Sequence, residues 1–177
     1  MNKNFYYDLE PGRTRLEREY EGNDVVISIV TPTYNSSELI FQTMNCILNQ
    51  TYPYYEWLVV DDGSTSKESL EVLEKLESTD SRIKVLHKKN EGPAKARDYG
   101  VTKSNKNSKY IFFIDDDDLV EKTFLEIAYF TLSINKEAAW CYSDVVNFDG
   151  YHSLWNKKFS TEQMKKENLL EIGRAHV

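Results

Sequence analysis

The chain has 177 residues, 40% of them hydrophobic and 13% aromatic, which is enough apolar material for one domain with a hydrophobic core. Its net charge of -7 at pH 7 argues against a nucleic-acid partner, and no apolar stretch approaches the length that crosses a membrane. Cys46 and Cys141 stand alone in the sequence, which disfavours zinc and iron–sulfur sites, suits a reducing cytoplasm and predicts that both thiols pack in the core.

The first predicted strand follows residues 1–24, an N-terminal extension whose pattern supports no more than a short surface helix. Residues 25–31 are β-branched and mostly apolar, which predicts a buried strand, and Pro32 is expected to end it. Asn35 and Glu38 then have the spacing of a helix N-terminus, and apolar residues at helical spacing follow.

The pattern of strand, loop and helix recurs along the chain. Further strands are predicted at residues 56–60, 83–86 and 110–114. Thr65 and Glu68 form a capping box after the second strand, and Pro93 suits the first turn of a helix after the third. A helix is predicted after the fourth strand, followed by a strand at residues 139–142 and a hairpin turn at Asp149-Gly150.

This alternation predicts an α/β fold for residues 25–171. Strands separated by helices require right-handed crossovers, and these produce a mainly parallel sheet flanked by helices, with a short β-hairpin near the C-terminus. In such a sheet, ligands bind beyond the carboxyl ends of the strands, so the polar loops after the first, second and fourth strands should form one site.

Four consecutive carboxylates, Asp115 to Asp118, follow the fourth strand. Their mutual repulsion favours a cation, and hard oxygen donors suit magnesium or manganese with a diphosphate as co-ligand. Only one or two of the carboxylates need to contact the ion. Asp118 has a second interpretation as the cap of the following helix, and both alternatives stay open.

Other candidates have competing structural interpretations. The pair of Asp61 and Asp62 could bind a nucleoside, although an Asp-Gly turn that caps the next helix explains the local pattern at least as well. Arg97 and nearby lysines could meet a diphosphate, while a solvated basic face suits the lysines better. Tyr34 could stack on a base or simply pack in its loop. His87 and His152 have no evident partner in the sequence.

Five ordered motifs together resemble the nucleotide-sugar half of family 2 glycosyltransferases, which are inverting enzymes of GT-A (Rossmann-like) fold. The similarity extends from about residue 25 to residue 159. The motifs are IVTPTYN at 29–35, LNQTY at 48–52, WLVVDDGST at 57–65, NEGPAKAR at 90–97 and FIDDDD at 113–118.

The resemblance implies a UDP-sugar donor and a Mn²⁺ or Mg²⁺ cofactor. It implies that Asp117 is the principal metal ligand and that Asp144 is a candidate substrate contact. The residues that it assigns to nucleotide binding are Pro32, Tyr34, Asp62, Arg97, Asp115 and Asp116. The acceptor would be a saccharide or a lipid-linked saccharide, and the location cytoplasmic or peripheral at the inner face of a membrane.

Inversion requires a general base, which in this family is an aspartate in a Glu-Asp motif well after the acidic cluster. No counterpart is found before Val177, so we expect the base to be absent from this chain. Residues 172–177 have the sequence that a common sequencing adapter encodes, and we predict that they are not native. The alternative function is therefore a truncated module that binds nucleotide sugar and metal without turnover.

Overall fold

A computed structural model describes residues 25–147 and 153–155. Four parallel strands form one sheet in the order β3-β2-β1-β4, and two further strands pair antiparallel. The elements are β1 Ile27–Thr33, α1 Ile40–Leu48, β2 Tyr55–Asp61, α2 Lys67–Glu77, β3 Ile83–His87, α3 Pro93–Lys103, β4 Tyr110–Phe113, α4 Phe124–Ile134, β5 Val145–Asn147 and β6 Ser153–Trp155. The predicted α/β architecture with a parallel sheet is confirmed.

Side chains alternate between the two faces of the sheet along β1 and β2, and both faces are buried. On one face, Ile29 and Trp57 pack in a core that includes α1, α2 and α4. On the other face, Val30 and Val60 pack with Ala96 of α3. All seven residues of β1 and all seven of β2 are buried, which explains their nearly continuous apolar sequence.

Helix α3 lies unusually close to the sheet at Gly100. A Cβ atom added there would overlap Val30 Cγ1 and would lie 3.1 Å from Val60 Cγ2. The missing side chain therefore allows the helix to approach β1 and β2. Because Arg97 lies one turn earlier on α3, this approach also sets the position of Arg97 relative to the ends of the strands.

Strand β1 continues past Pro32, so the prediction that proline would end it is wrong. Pro32 lies opposite Val60 of β2, and the strand runs on to Thr33. The carbonyl of Val30 points towards β4, where it accepts from the N–H of Ile114. Pro32 lies two residues after Val30, so its backbone faces the same side of the strand. Because β4 has ended at Phe113, no ladder partner lies opposite the N–H that proline lacks.

Both predicted helix N-termini near the first two loops are displaced. Helix α1 begins at Ile40 with Leu39 at its N-cap and no capping side chain, so Asn35 does not cap it. Helix α2 has Ser66 as its N-cap instead of Thr65, and Ser66 Oγ accepts from the N–H of Ser69. The cap therefore lies one residue later than the sequence pattern predicts.

The remaining predictions concern the region after β4. Asp118 does not cap α4, because the N-cap is Thr123. Residues 139–142 are not a strand, and β5 begins at Val145. The pairing of β5 with β6 confirms a hairpin, while its predicted turn at Asp149-Gly150 lies outside the described residues, as do residues 1–24, His152 and residues 172–177.

Two general features complete the description. Cys46 and Cys141 are free thiols and are half-buried, so they are less enclosed than core residues. Within residues 25–147 and 153–155, no helix has both the length and the apolar character needed to cross a membrane.

Candidate functional site

The predicted site residues collect at the carboxyl edge of the parallel sheet. Strand β1 is flanked by β2 on one side and by β4 on the other, so the direction in which the sheet is built reverses at β1. Loops that leave neighbouring strands in opposite directions open a crevice at such a point, which is where α/β proteins bind ligands. The loops after β1, β2, β3 and β4 all lie at this edge.

The acidic loop after β4 is held by hydrogen bonds from two other elements. Asp115 forms an ion pair with Arg97 of α3, and about a quarter of each side chain is exposed. Asp116 accepts a hydrogen bond from Thr33 Oγ1 at 2.6 Å, and its backbone carbonyl accepts from Thr43 Oγ1 at 3.0 Å. The loop is thereby tied to the end of β1 and to α1, which fixes its carboxylates at the crevice.

Arg97 has a donor that no described residue of the chain engages. One terminal nitrogen of the guanidinium pairs with Asp115, but Nε is buried and has no hydrogen-bond acceptor within the described residues. A buried guanidinium N–H without an acceptor is costly. An anionic or carbonyl oxygen that entered the crevice beside Asp115 would satisfy it.

Asp117 and Asp118 are half-buried in the turn that follows β4, in which the N–H of Asp118 donates to the carbonyl of Asp115 at 3.3 Å. Across the described part of the chain, no cluster of three or more carboxylate, histidine or cysteine side chains could hold a metal ion. Mg²⁺ in proteins commonly takes one or two carboxylates and completes its shell with phosphate oxygens.

Asp62, at the end of β2, is buried and highly coordinated. Its Oδ1 accepts from Lys88 Nζ at 2.6 Å and from the N–H of Glu91 at 3.0 Å, and its Oδ2 accepts from the N–H of Gly92 at 2.6 Å. Burial by itself raises the pKa of this carboxyl, but the hydrogen bonds from Lys88, Glu91 and Gly92 outweigh it, so the pKa lies below its ordinary value. Asp62 is therefore ionised near neutral pH.

Lys88 is one of the lysines near Arg97 for which a diphosphate contact and a solvated face were both considered, and it contacts Asp62 instead. The expectation of a solvated lysine is wrong for this residue, because only 9% of its side chain is exposed and it lies between Asp62 and Glu91. The position of Lys88 directly after β3 could have predicted this contact. Asp61 pairs with His87 in the ladder, so the next residues, Asp62 and Lys88, must be neighbours. Making that prediction required the strand register.

Asp61 and Asn35 also have partners that the sequence did not indicate. Asp61 Oδ2 lies 2.8 Å from His87 Nδ1, so His87 is not isolated. Asn35 adopts a positive φ of 50°, and its side-chain oxygen accepts from the N–H groups of Thr65 and Ser66. These contacts join the β1 loop to the β2 loop.

The structure places the other predicted residues as follows. Pro32 is buried in β1. Tyr34 is 51% exposed in the loop after β1, where its ring is available to a ligand at the carboxyl edge. Asp144 is exposed and directly precedes β5, outside the four-stranded sheet.

The sequence model of glycosyl transferase family 2 matches residues 28–176, which cover the parallel sheet except the first residue of β1, together with the carboxyl-edge loops. The chain belongs to this family. An uncharacterized glycosyltransferase of Rickettsia bellii is 43% identical over 104 residues, covering 59% of this chain and 14% of its own length. Glycosyltransferase GlyG of Streptococcus pneumoniae is 30% identical over 151 residues, covering 82% of this chain and 49% of its own.

A solved structure similar to this chain agrees with the fold. TarS residues 1–349 of Staphylococcus aureus, crystallised in complex with UDP-GlcNAc, superposes with a TM-score of 0.56 at 30% identity, covering 63% of this chain and 32% of that one. The chain thus spans at most about half the length of the two curated relatives and a third of the TarS fragment. The GT-A fold predicted from the motifs is confirmed.

Proposed function

We propose that this family 2 protein binds a UDP-sugar at the carboxyl edge of its sheet and transfers the sugar to an acceptor hydroxyl with inversion. The observation that carries the proposal is the convergence of an exposed aromatic ring, an ionised buried carboxylate, an arginine with an unused donor and an acidic loop on one crevice. These groups match the successive parts of a nucleotide sugar, and the similarity to a protein crystallised with UDP-GlcNAc supports the choice of donor.

Each group has a role that follows from its chemistry. The exposed ring of Tyr34, beside Pro32, offers a face on which a base stacks. Asp62 accepts a hydrogen bond from the base, because an ionised carboxylate is an acceptor without donors. Arg97 directs its unused N–H to an oxygen of the nucleotide, and Asp115 orients the guanidinium. Asp116 holds the acidic loop in place through Thr33.

Asp117, with Asp115 as a second donor, would hold a Mn²⁺ or Mg²⁺ ion together with the diphosphate. When bound, such an ion stabilises the negative charge of a departing diphosphate. The chain's own contribution is to hold the acidic loop at the crevice, since Asp116 accepts a hydrogen bond from Thr33 and Asp115 pairs with Arg97.

Binding of UDP tests the donor half of the proposal. Isothermal titration calorimetry with UDP and MnCl₂ should show manganese-dependent binding that Asp117→Ala weakens at least about tenfold, since charge-assisted contacts are worth about 1.5–3 kcal/mol each. Asp98→Ala is the matched control, because Asp98 is an exposed carboxylate on α3. Absence of binding by the wild type, or equal binding by Asp117→Ala, would contradict the proposal.

Turnover tests the transfer half and separates it from the alternative of a binding module. Inversion needs a group that deprotonates the acceptor, and we propose that this group is not among residues 1–177. The 177-residue chain should therefore bind UDP without transferring sugar to saccharide or lipid-linked acceptors, whereas a chain extended by the second half of the family fold should transfer it. Transfer by the shorter chain at an unreduced rate would refute the assignment of the base. We place the reaction in the cytoplasm or at the inner face of a membrane, in keeping with the two free thiols.

A further inference from the structure

A closed network of charges joins Lys88, Asp62 and the loop before α3. The ammonium group of Lys88 has three donors, and all three have acceptors: Asp62 Oδ1 at 2.6 Å, the backbone carbonyl of Lys89 at 2.6 Å and Glu91 Oε2 at 3.0 Å. Lys88 therefore has no donor left for a ligand. Its charge is directed at Asp62 rather than at the crevice.

The carboxylate of Asp62 accepts from three donors of the protein. Two oxygens offer about four acceptor positions. Lys88 and the N–H of Glu91 contact Oδ1 at 2.6 and 3.0 Å, and the N–H groups of Gly92 and Glu91 contact Oδ2 at 2.6 and 3.2 Å. Because the Glu91 N–H is shared between the two oxygens, a ligand that presents a single N–H can take the place of its longer contact, the one at Oδ2.

The backbone around this network leaves little room for adjustment. Gly63 has a positive φ of 78°, and a Cβ added to it would lie 2.8 Å from the backbone nitrogen of Asn90. The N–H of Lys88 donates to the carbonyl of Asp61 at 2.9 Å. The loop after β2 and the loop after β3 are thus in direct contact, and the orientation of Asp62 depends on the loop that carries Lys88.

We propose that Lys88 is a positioning residue for base recognition: it orients Asp62 so that the carboxylate meets the ring N–H of uracil. This inference rests on the proposed UDP-sugar site. Cytosine presents a ring acceptor at the same position and would be repelled by the carboxylate. Lys88 acts through Asp62 and does not contact the nucleotide.

The pH dependence of UDP binding distinguishes this role from a merely structural one. The charged groups near Asp62 are Lys88 and Glu91 on the loop after β3, while the adjacent Asp61 is engaged with Ser64 and His87. In the wild type, Asp62 stays ionised between pH 8 and pH 5, because its pKa lies below the ordinary value. Removing the lysine charge takes away one of the contacts that oppose burial, while the N–H groups of Glu91 and Gly92 remain, so the pKa rises and the acceptor is lost at a higher pH than in the wild type.

The experiment compares the Kd for UDP of Lys88→Met with that of the wild type at each pH from 8 to 5. Taking the ratio at the same pH cancels the titration of the diphosphate. The ratio should rise as the pH falls from 8 to 5, since protonation of Asp62 costs up to about tenfold per pH unit below its pKa. It should stay constant for Lys88→Arg, which keeps the charge. Lys89→Met, the same substitution at the exposed neighbour, should bind like the wild type.

Two further measurements keep the inference testable if Lys88→Met does not fold. Lys88→Gln retains hydrogen-bond donors but not the charge, and should show the same rise. In the wild type, the ¹³C signal of the Asp62 carboxyl should titrate below the ordinary aspartate pKa of about 3.9. A ratio independent of pH in Lys88→Met or Lys88→Gln, or a wild-type midpoint at or above the ordinary value, would overturn the role of Lys88. Failure of the wild type to bind UDP would instead contradict the proposed function.

Discussion

Replacing Gly100 by alanine should destabilise the protein, although the same change in a helix normally stabilises it. Alanine is favoured over glycine within a helix by about 1 kcal/mol. At Gly100, however, the new Cβ would overlap Val30 Cγ1 and approach Val30 Cγ2 at 3.3 Å. Val30 is fully buried in β1 and has a stiff β-branched side chain, so it cannot rotate away without disturbing the sheet.

Overpacking of a buried site costs about 1–3 kcal/mol, and this contact lies at the upper end because the overlapping atom belongs to a central strand. After the gain in helix propensity, we expect a net loss of about 1–2 kcal/mol in the free energy of unfolding. For a chain of this size that corresponds to a decrease in Tm of about 2–8 °C.

Urea denaturation and thermal melting of Gly100→Ala measure this loss directly. Val101→Ala is the control, because the neighbouring side chain is 39% exposed and the change also increases helix propensity. The control should be as stable as the wild type or slightly more stable. Since α3 carries Arg97, Gly100→Ala should also weaken UDP binding. A Gly100→Ala protein at least as stable as the wild type would refute the close approach of α3 to β1.

Two further predictions concern hydrogen bonds of buried or half-buried side chains. Thr33→Val removes the hydroxyl that holds Asp116, so it should weaken manganese-dependent UDP binding about threefold to tenfold in calorimetry. Thr33→Ser keeps the hydroxyl and should bind UDP like the wild type. Equal effects of the two substitutions would contradict the role of this hydrogen bond. Burial raises the pKa of Glu56, but hydrogen bonds from Lys84, Ser28 and the N–H of Asn105 outweigh burial and hold the pKa below its ordinary value. The stability that Glu56 contributes is therefore present above the unfolded pKa and is lost as the pH falls through the folded pKa. Glu56→Gln should therefore be less stable than the wild type by about 1–3 kcal/mol near pH 7 in urea denaturation, with the difference shrinking in acid; a difference independent of pH would show that the charge is unimportant.

Much of the fold can be predicted from the local sequence. The apolar runs before Pro32, Asp61 and Asp115 predict strands, and the helical spacing between them predicts the crossovers, because burial on both faces of a parallel sheet demands continuous apolar residues. The carboxyl ends of parallel strands must share an edge, so the meeting of the loops that contain Tyr34, Asp62 and Asp115 also follows from sequence.

Other features depend on contacts between distant residues, and local patterns misjudge them. Asn35 has the spacing of a helix cap, yet its side-chain oxygen binds N–H groups of the β2 loop. Pro32 resembles a strand terminator, but β4 ends before it and leaves its side of β1 without a ladder partner. Competition between a local and a distant partner is decided by geometry that the local sequence does not contain.

The sequence alone determined the α/β fold, the family and the edge of the sheet at which the site lies, because periodicity and motif order are properties of the chain itself. Tertiary structure alone decided which charges meet. The pairing of Lys88 with Asp62 and of Arg97 with Asp115 depends on strand register and on the close packing of α3, and each pair joins residues 18 or more positions apart. Electrostatic energy depends on distance and burial, which only the folded arrangement specifies.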